Sequence, residues 1–543
     1  MERLAAKIEK IVRSDKARLC ASYAVFVLGL VLVLVYICIF ERSEVNNDYT
    51  DTLLWAYESV KGRGLYNHDF YYAYMLPFGG SLIMLPFALI FGFAYPAHVL
   101  GMCTFAILYS VILYLFFKNL FDSRRIGLTL SGTVMILLTC SNAMRLIFWG
   151  HVIQYSLGIA MLLIGILIVR KIYEQNSKKY YIALFIWTGL CMTNGANIVP
   201  FFFAPLLFGV LFERFFDLSS KLSDTETGIA VRITMLMLAA GLLGYGFNIF
   251  TQRNLDKTYL NALFSFRSTG EWFYSLNSWL STWCSLGADV VNSGDKLMSL
   301  NGIITCGLMV FCFVVMIVPI VACFFYKQID NKYIRILIIA HHTIFIFSLI
   351  MLSVIFTANF NWRLGGAFAS CIIVSLVFSV WLTKQPNLSR FGYLLLFFFG
   401  VCAILSMLGV SRLDSAKGSN VYDRVIDALE SENQVYGYGD VWDANAITML
   451  SNSKVKMRSI AFEDWNEGKY VIDWYQCEKG WYDDQDGVTE YFVYLDANRY
   501  AGCSEHLKEA ASRTVMFEDG AGYIMIFDGN IFEDGKGIYN PED

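Results

Sequence analysis

Long apolar segments recur along the first three quarters of the chain, separated by short polar segments. A run of 18 or more apolar residues is long enough to cross the roughly 30 Å hydrocarbon core of a bilayer as a helix. The backbone in that core must satisfy its own hydrogen bonds, which favours helices. The pattern therefore predicts a polytopic α-helical membrane protein with about eleven spans, near 21–40, 97–117, 127–141, 152–170, 180–193, 198–213, 233–250, 301–325, 334–356, 366–383 and 391–410.

One apolar segment, residues 78–93, does not fit the pattern of full spans. It is short and is interrupted by Gly79, Gly80 and Pro86. Counting it as a span would invert every later loop. We therefore expect a re-entrant or interface-lying helix inside a large first outer loop, residues 41–96.

The distribution of Lys and Arg predicts the orientation. With residues 1–20 in the cytoplasm, the loops 118–125, 170–179, 213–232, 326–335 and 384–390 are also cytoplasmic, and each contains Lys or Arg. The opposite loops carry less clustered positive charge, in agreement with the positive-inside rule. The basic start of the chain resembles a signal peptide, but no small-residue cleavage site follows, so we interpret it as a first anchor.

The chain changes character after residue 410. Residues 411–543 contain 12 Lys and Arg against 26 Asp and Glu, whereas the remainder contains 30 against 20. A helix-like segment at 421–432 precedes strand-like segments at 455–460, 491–495, 514–517 and 523–527. We expect residues 21–410 to form the membrane domain and residues 411–543 a separate acidic, extracytoplasmic α/β domain. Cys477 and Cys503 could pair there in an oxidising space, and the sequence leaves this open.

The first outer loop contains the candidate chemistry. Asp48 and Asp51 follow the first span, three residues apart, which places them on one face of a helix through Trp55 to Lys61. A carboxylate at the membrane surface can accept a proton from an acceptor hydroxyl and act as a general base. Asp at a helix start is also a favoured N-cap without chemistry. The spacing alone does not distinguish these two roles.

The same loop resembles the first outer loop of the GT-C superfamily of membrane glycosyltransferases. A first span is followed by an acidic residue, an aromatic-Ala helix, a Gly and a Leu-Tyr pair. The residues that carry the resemblance are Asp48, Ala56, Gly64, Leu65, Tyr66, Pro77, Gly79 and Gly80. The superfamily includes protein O-mannosyltransferases, aminoarabinose transferases and bacterial cell-envelope glycosyltransferases. The resemblance implies that Asp48 is the base, with Asp51 as second choice, and that the sugar donor is a polyprenyl-phosphate carrier.

The second outer loop departs from the metal-using members of this superfamily. Those members place a further acidic residue there, but residues 141–151 contain no carboxylate. We therefore predict no metal and no cofactor. Arg145 and His151 are candidates for contacts with phosphate or sugar, although His151 fits an interface histidine equally well.

Binding of the carrier phosphate requires cations on the outer side. The available residues are Arg253, Lys257, Arg267 and Arg363. An Arg guanidinium can bind two phosphate oxygens at once. The alternative is that each side chain reaches towards lipid headgroups. Arg363 is the strongest candidate because it stands alone in a short loop between two spans.

These observations predict a hexosyltransferase-type enzyme of a bacterial plasma membrane. It would move a sugar from a polyprenyl-phosphate carrier to a cell-wall or lipid glycan acceptor on the outer face, with no nucleic-acid partner. The alternatives are a lipid-linked glycan flippase or polymerase-like factor, and a non-catalytic scaffold that binds glycan. Four tryptophans of the tail, Trp442, Trp465, Trp474 and Trp481, could stack on sugar rings or fill a small core.

Overall fold

The computed structural model describes residues 14–73, 75–216, 225–255, 266–288, 296–355, 362–413, 420–464, 469–517 and 522–532. Nineteen α-helices lie in these ranges: α1 (Asp15–Val35), α2 (Asp51–Lys61), α3 (Gly80–Phe91), α4 (Tyr95–Phe121), α5 (Arg124–Leu137), α6 (Asn142–Arg145), α7 (Gln154–Gln175), α8 (Lys178–Met192), α9 (Ala204–Phe215), α10 (Thr225–Gln252), α11 (Glu271–Gly287), α12 (Leu300–Phe324), α13 (Lys332–Ile350), α14 (Trp362–Thr383), α15 (Ser389–Ser411), α16 (Asp423–Ser431), α17 (Val441–Leu450), α18 (Ala497–Gly502) and α19 (Glu505–Ala510).

Eight strands accompany the helices: β1 (Phe70–Tyr71), β2 (Tyr436–Asp440), β3 (Lys456–Asp464), β4 (Lys469–Ile472), β5 (Cys477–Glu478), β6 (Tyr491–Asp496), β7 (Arg513–Met516) and β8 (Gly522–Phe527). Six form one mixed sheet in the order β4-β3-β2-β6-β8-β7, while β1 and β5 form a separate antiparallel pair. Within the sheet, β2 runs parallel to both β3 and β6, and the outer pairings are antiparallel.

The protein is a multi-pass membrane protein, as the apolar pattern predicts. Among the described residues, nine helices are long and apolar enough to cross a bilayer, or ten if one bent pair counts as a span. The bent pair consists of α5 and the segment Asn142–Gly150, with an angle of 119° between them, and it includes the predicted span at 127–141. The predicted span at 180–193 is α8, whose 15 residues rise only about 23 Å.

Helix α3 accounts for the irregular segment at 78–93. Its 12 residues rise about 18 Å, which is too short to cross the hydrocarbon core. The helix ends at Gly92, whose φ of 68° lies in the left-handed region that favours glycine. The apolar side chains of Leu89 and Ile90 are exposed, at 62% and 72%. The structure thus has a short apolar helix where the sequence predicts one.

The described chain divides into two compact units. Unit 1 contains residues 14–38, 102–251 and 266–413, and unit 2 contains residues 39–101, 252–255 and 420–532, apart from the ranges not described. The first outer loop therefore belongs to the same unit as the C-terminal tail. The apolar pattern along the sequence predicts that this loop belongs with the membrane helices instead.

Unit 1 is built around α14, in which residues 364–382 are all buried. At the contact between α1 and α5, small residues allow close approach: a Cβ on Gly132 would lie 2.3 Å from the Val25 carbonyl oxygen. Four ion pairs join segments that the charge pattern assigns to the cytoplasmic side, namely Arg125 with Asp15, Arg170 with Asp122, Arg335 with Glu213, and Lys332 with Glu226. These helix ends therefore lie at one end of unit 1.

Unit 2 holds the α/β region expected in the tail. The four strands expected from alternation are present as β3, β6, β7 and β8, whereas β2, β4 and β5 are not expected from the sequence. Strand β2 reads YGYGD, and its two glycines conceal the β-propensity of the segment. The sheet requires at least one of them, because a Cβ on Gly437 would lie 2.2 Å from the Phe492 carbonyl oxygen of the neighbouring β6.

Candidate functional site

Asp48 lies in a tight turn at the start of the first outer loop. Residues Asn47–Thr50 form a 3-10 turn that leads directly into α2. The Asn46 side chain accepts a hydrogen bond from the Asp48 N–H at 3.0 Å, and so caps the turn. The neighbouring Tyr49 and Thr50 are buried, whereas Asp48 is half-buried. The turn thus fixes the backbone of Asp48 while its side chain keeps access to the surface.

Two buried side chains that contact each other lie next to this turn. Glu41 and His98 are both fully buried, and His98 Nε2 lies 3.0 Å from Glu41 Oε1. The ring of Tyr49 packs 6.1 Å from the His98 ring, measured between centroids. The segment before α2 is therefore held against α4, which carries His98.

Asp51 has a different environment from Asp48. It is only 4% exposed, and its Oδ1 accepts a hydrogen bond from Gln476 Nε2 at 2.5 Å. Gln476 Oε1 in turn accepts from the Trp55 indole N–H at 2.6 Å. All three side chains are buried. Asp51 thus joins α2 to the tail, and the side chain of Asp48 is the more accessible of the two carboxylates.

Arg145 and His151 lie in unit 1, at either end of the π-helical turn Leu146–Gly150. Both are buried, at 2% and 7% exposure. The Arg145 Nη1 donates to the Thr139 carbonyl oxygen at 3.2 Å, and its guanidinium lies 5.6 Å from the centroid of the Tyr36 ring. A buried guanidinium held by a backbone carbonyl and an aromatic face is well suited to contact an anion.

The other predicted cationic side chains differ in their location, hydrogen bonding and exposure. Arg267 and Arg363 belong to unit 1, and Arg253 to unit 2. The Arg267 Nη1 donates to Ser275 Oγ at 2.5 Å, and Arg253 is exposed. Arg363 lies in the first turn of α14, so the expected placement in a loop is wrong, because the helix begins at Trp362. Lys257 lies outside the described residues.

Sequence reasoning missed a buried carboxyl group on α2. Glu58 is fully buried, and its Oε2 accepts a hydrogen bond from Asn67 Nδ2 at 2.7 Å. Burial raises the pKa of Glu58 to about 7, although Lys61 and the Asn67 donor both favour the charged form. Glu58 lies on α2, one helical turn beyond Trp55 and on the same face of the helix as Asp51. This spacing is the only feature of the sequence that points to the burial of Glu58.

We expect Glu58 to make the free energy of unfolding depend on pH. Its folded pKa of about 7 exceeds the ordinary 4.5, so the stability present below pH 4.5 is lost as the pH rises through 7. The difference corresponds to about 3 kcal/mol. Urea unfolding of the detergent-purified protein at pH 5 and pH 8 should show a smaller drop in Glu58→Gln than in the unsubstituted protein. Equal drops would contradict this.

The tryptophan side chains of the tail differ in their exposure to solvent. Trp442 is 54% exposed, Trp481 is 6% exposed, and Trp474 is half-buried against the Tyr71 ring at 4.8 Å. Trp465 lies outside the described residues. Trp442 is thus more than half exposed to solvent, while Trp481 belongs to the core.

Two further features concern metal and disulfide chemistry. Within the described ranges, no group of three or more His, Cys, Asp or Glu side chains is arranged to hold a metal ion. Cys477 and Cys503 are both buried, and no disulfide joins these two described residues.

Comparison with solved structures identifies the fold. The chain is similar to ArnT from Cupriavidus metallidurans in the apo state, an aminoarabinose transferase, with a TM-score of 0.53 and 11% identity over 92% of this chain and 97% of that chain. ArnT from the same organism bound to undecaprenyl phosphate gives a TM-score of 0.49 at 10% identity, with the same coverage. No protein-family model and no curated protein sequence matches. The chain therefore shares the fold of the ArnT structure in the apo state.

Proposed function

We propose that the protein is a glycosyltransferase that moves a sugar from a polyprenyl-phosphate carrier to a cell-envelope glycan on the outer face of the membrane. The observation that carries the proposal is the GT-C fold, shared with an aminoarabinose transferase over nearly the whole of both chains. The setting of Asp48 supports it, because a half-buried carboxylate on a rigid turn follows the first span.

The proposed reaction needs one base and one leaving group. The acceptor hydroxyl oxygen attacks the anomeric carbon of the sugar, and the bond from that carbon to the phosphate oxygen breaks. The polyprenyl phosphate leaves with the electron pair, while the Asp48 carboxylate takes the hydroxyl proton. Attack opposite the leaving phosphate inverts the anomeric centre.

Positive charge near the leaving phosphate would lower the barrier, because charge develops there in the transition state. The candidates are the predicted cations Arg145, Arg253, Lys257, Arg267 and Arg363, with His151 as a further contact. The Arg145 guanidinium is buried and donates to the Thr139 carbonyl oxygen, which holds its orientation within unit 1. No step requires a metal ion.

Mass spectrometry of the envelope glycans tests this function. The envelope glycans of cells that lack the gene should have lost one sugar substituent. In proteoliposomes, the purified protein should transfer that sugar from a polyprenyl-phosphate-linked hexose. An unchanged glycan profile together with no transfer in proteoliposomes would overturn the proposal. Movement of labelled carrier across the liposome membrane without transfer would instead identify a flippase.

A further inference from the structure

Unit 2 contains a cavity of about 350 Å³ to which the proposed chemistry assigns no role. Side chains of α2 and Phe93 line it from the first outer loop, and the rest of the lining comes from the tail. Its volume falls in the range of about 300–1,000 Å³ that is typical of small-ligand sites. The lining includes Tyr57 and Lys61 of α2, Tyr436 of β2, Lys456 and Arg458 of β3, and Trp481.

Positive charge dominates this cavity. Lys456 and Arg458 are two residues apart on β3, so their side chains leave the same face of the strand. Lys61 forms an ion pair with Glu478, the one acidic residue in the lining. Among the described residues, neither Lys456 nor Arg458 has a carboxylate oxygen within 4.0 Å. The lining therefore has an excess of two positive charges.

The guanidinium of Arg458 is held in a defined plane. It lies 3.8 Å from the centroid of the Trp481 ring and 5.5 Å from that of Tyr436. Its Nε donates to Tyr436 Oη at 3.3 Å, and Tyr436 Oη donates to the Trp481 carbonyl oxygen at 2.6 Å. Its two Nη groups make no hydrogen bond to any described residue. They form a fork that matches the two oxygens of a carboxylate or phosphate.

The charge of Lys456 is similarly uncompensated. Partial burial, together with the nearby Arg458 and Lys61, lowers the pKa of Lys456. Like charges held close together disfavour the protonated amine, and a bound anion would relieve this repulsion.

We propose that this cavity binds an acidic saccharide, with the phosphate or carboxylate of the sugar on Arg458 and Lys456. The half-buried ring of Tyr57 supplies an apolar face for the sugar ring. If the protein is the proposed transferase, this ligand is its acceptor, so that identity rests on the proposed function. The binding of an acidic saccharide in the cavity does not rest on the proposed function.

Calorimetry on the full-length protein in detergent tests the ligand class. The probes are glucose 6-phosphate, glucuronic acid, glucose and inorganic phosphate. We expect at least one acidic sugar to bind about tenfold or more tightly than glucose and than inorganic phosphate, and the two acidic sugars distinguish phosphate from carboxylate recognition. Glucose binding as tightly as both acidic sugars, inorganic phosphate binding equally well, or no binding of any probe would overturn the proposal.

Substitutions locate the binding within the cavity. Arg458→Gln and Lys456→Gln should each weaken the binding of the acidic sugar by about tenfold. Lys454→Gln is the matched control, because Lys454 is exposed, pairs with Glu430 at 3.3 Å and does not line the cavity. Arg458 also packs on Trp481, so Lys456→Gln tests the site without removing a packed side chain. Unchanged affinity in both variants would place the ligand elsewhere.

The failure of this proposal can be distinguished from failure of the proposed function. Asp48→Asn should retain the binding of the acidic sugar, because Asp48 does not line the cavity. Binding in the cavity without any sugar transfer would overturn the transferase and leave the cavity site intact. Sugar transfer by a protein that binds no acidic sugar would overturn the cavity site alone.

Discussion

Replacement of Asp48 by Asn is expected to reduce sugar transfer by a factor of about 10² to 10⁴, the usual contribution of a general base. The amide has nearly the shape of the carboxylate but cannot take the acceptor proton. The backbone of the turn is held by Asn46, so the fold should be retained. The measurement is the initial rate of transfer from a polyprenyl-phosphate-linked sugar in proteoliposomes, together with the abundance of the protein in the membrane.

Two matched variants make this test specific. Asp69→Asn changes an exposed acid in the same loop and should leave the transfer rate within about twofold. Asp51→Asn retains an oxygen that can accept from Gln476, so its effect on folding should be small. Activity that persists in both Asp48→Asn and Asp51→Asn would refute the assignment of the base to this loop.

Replacement of Gln476 by Met is expected to lower the free energy of unfolding by about 3 kcal/mol. The substitution keeps the volume of the side chain but removes the donor to Asp51 and the acceptor for Trp55. Burial of a carboxylate has a desolvation cost, which a hydrogen-bond donor partly offsets. Without that donor, much of the cost is no longer offset and the folded state is less stable. Urea unfolding in detergent, followed by tryptophan fluorescence, measures the effect.

The control for this substitution is Gln175→Met. Gln175 is exposed at the end of α7, and we expect a change of about 0.5 kcal/mol or less there. If Gln476→Met were as stable as this control, the three-residue network of Asp51, Gln476 and Trp55 would not hold α2 to the tail.

These two predictions separate the roles of two neighbouring carboxylates. By spacing alone, Asp48 and Asp51, three residues apart, are each compatible with catalysis or capping, and only the family resemblance ranks Asp48 first. The structure gives Asp51 a buried partner that is 425 residues away along the chain. Asp48 keeps an accessible side chain on a rigid turn. The choice of Asp48 therefore rests on tertiary contacts as well as on the resemblance.

The membrane class, the positions of most spans and the α/β character of the tail follow from the amino-acid sequence alone. These are local properties: a span needs a long enough run of apolar residues, and a strand needs alternation over a few positions. Local patterns do not indicate the short length of α8 or the 119° bend after α5, because chain direction depends on packing.

Which side chains come into contact depends on the tertiary structure. The pairing of β1 with β5, the burial of Glu58 and the stacking of Arg458 on Trp481 leave little trace in local sequence patterns. The first of these depends on the first outer loop packing with the tail in unit 2, across more than 400 residues of sequence. Contacts at such separation are set by shape and by the need to pair buried polar groups, and neither is encoded in the composition of a single segment.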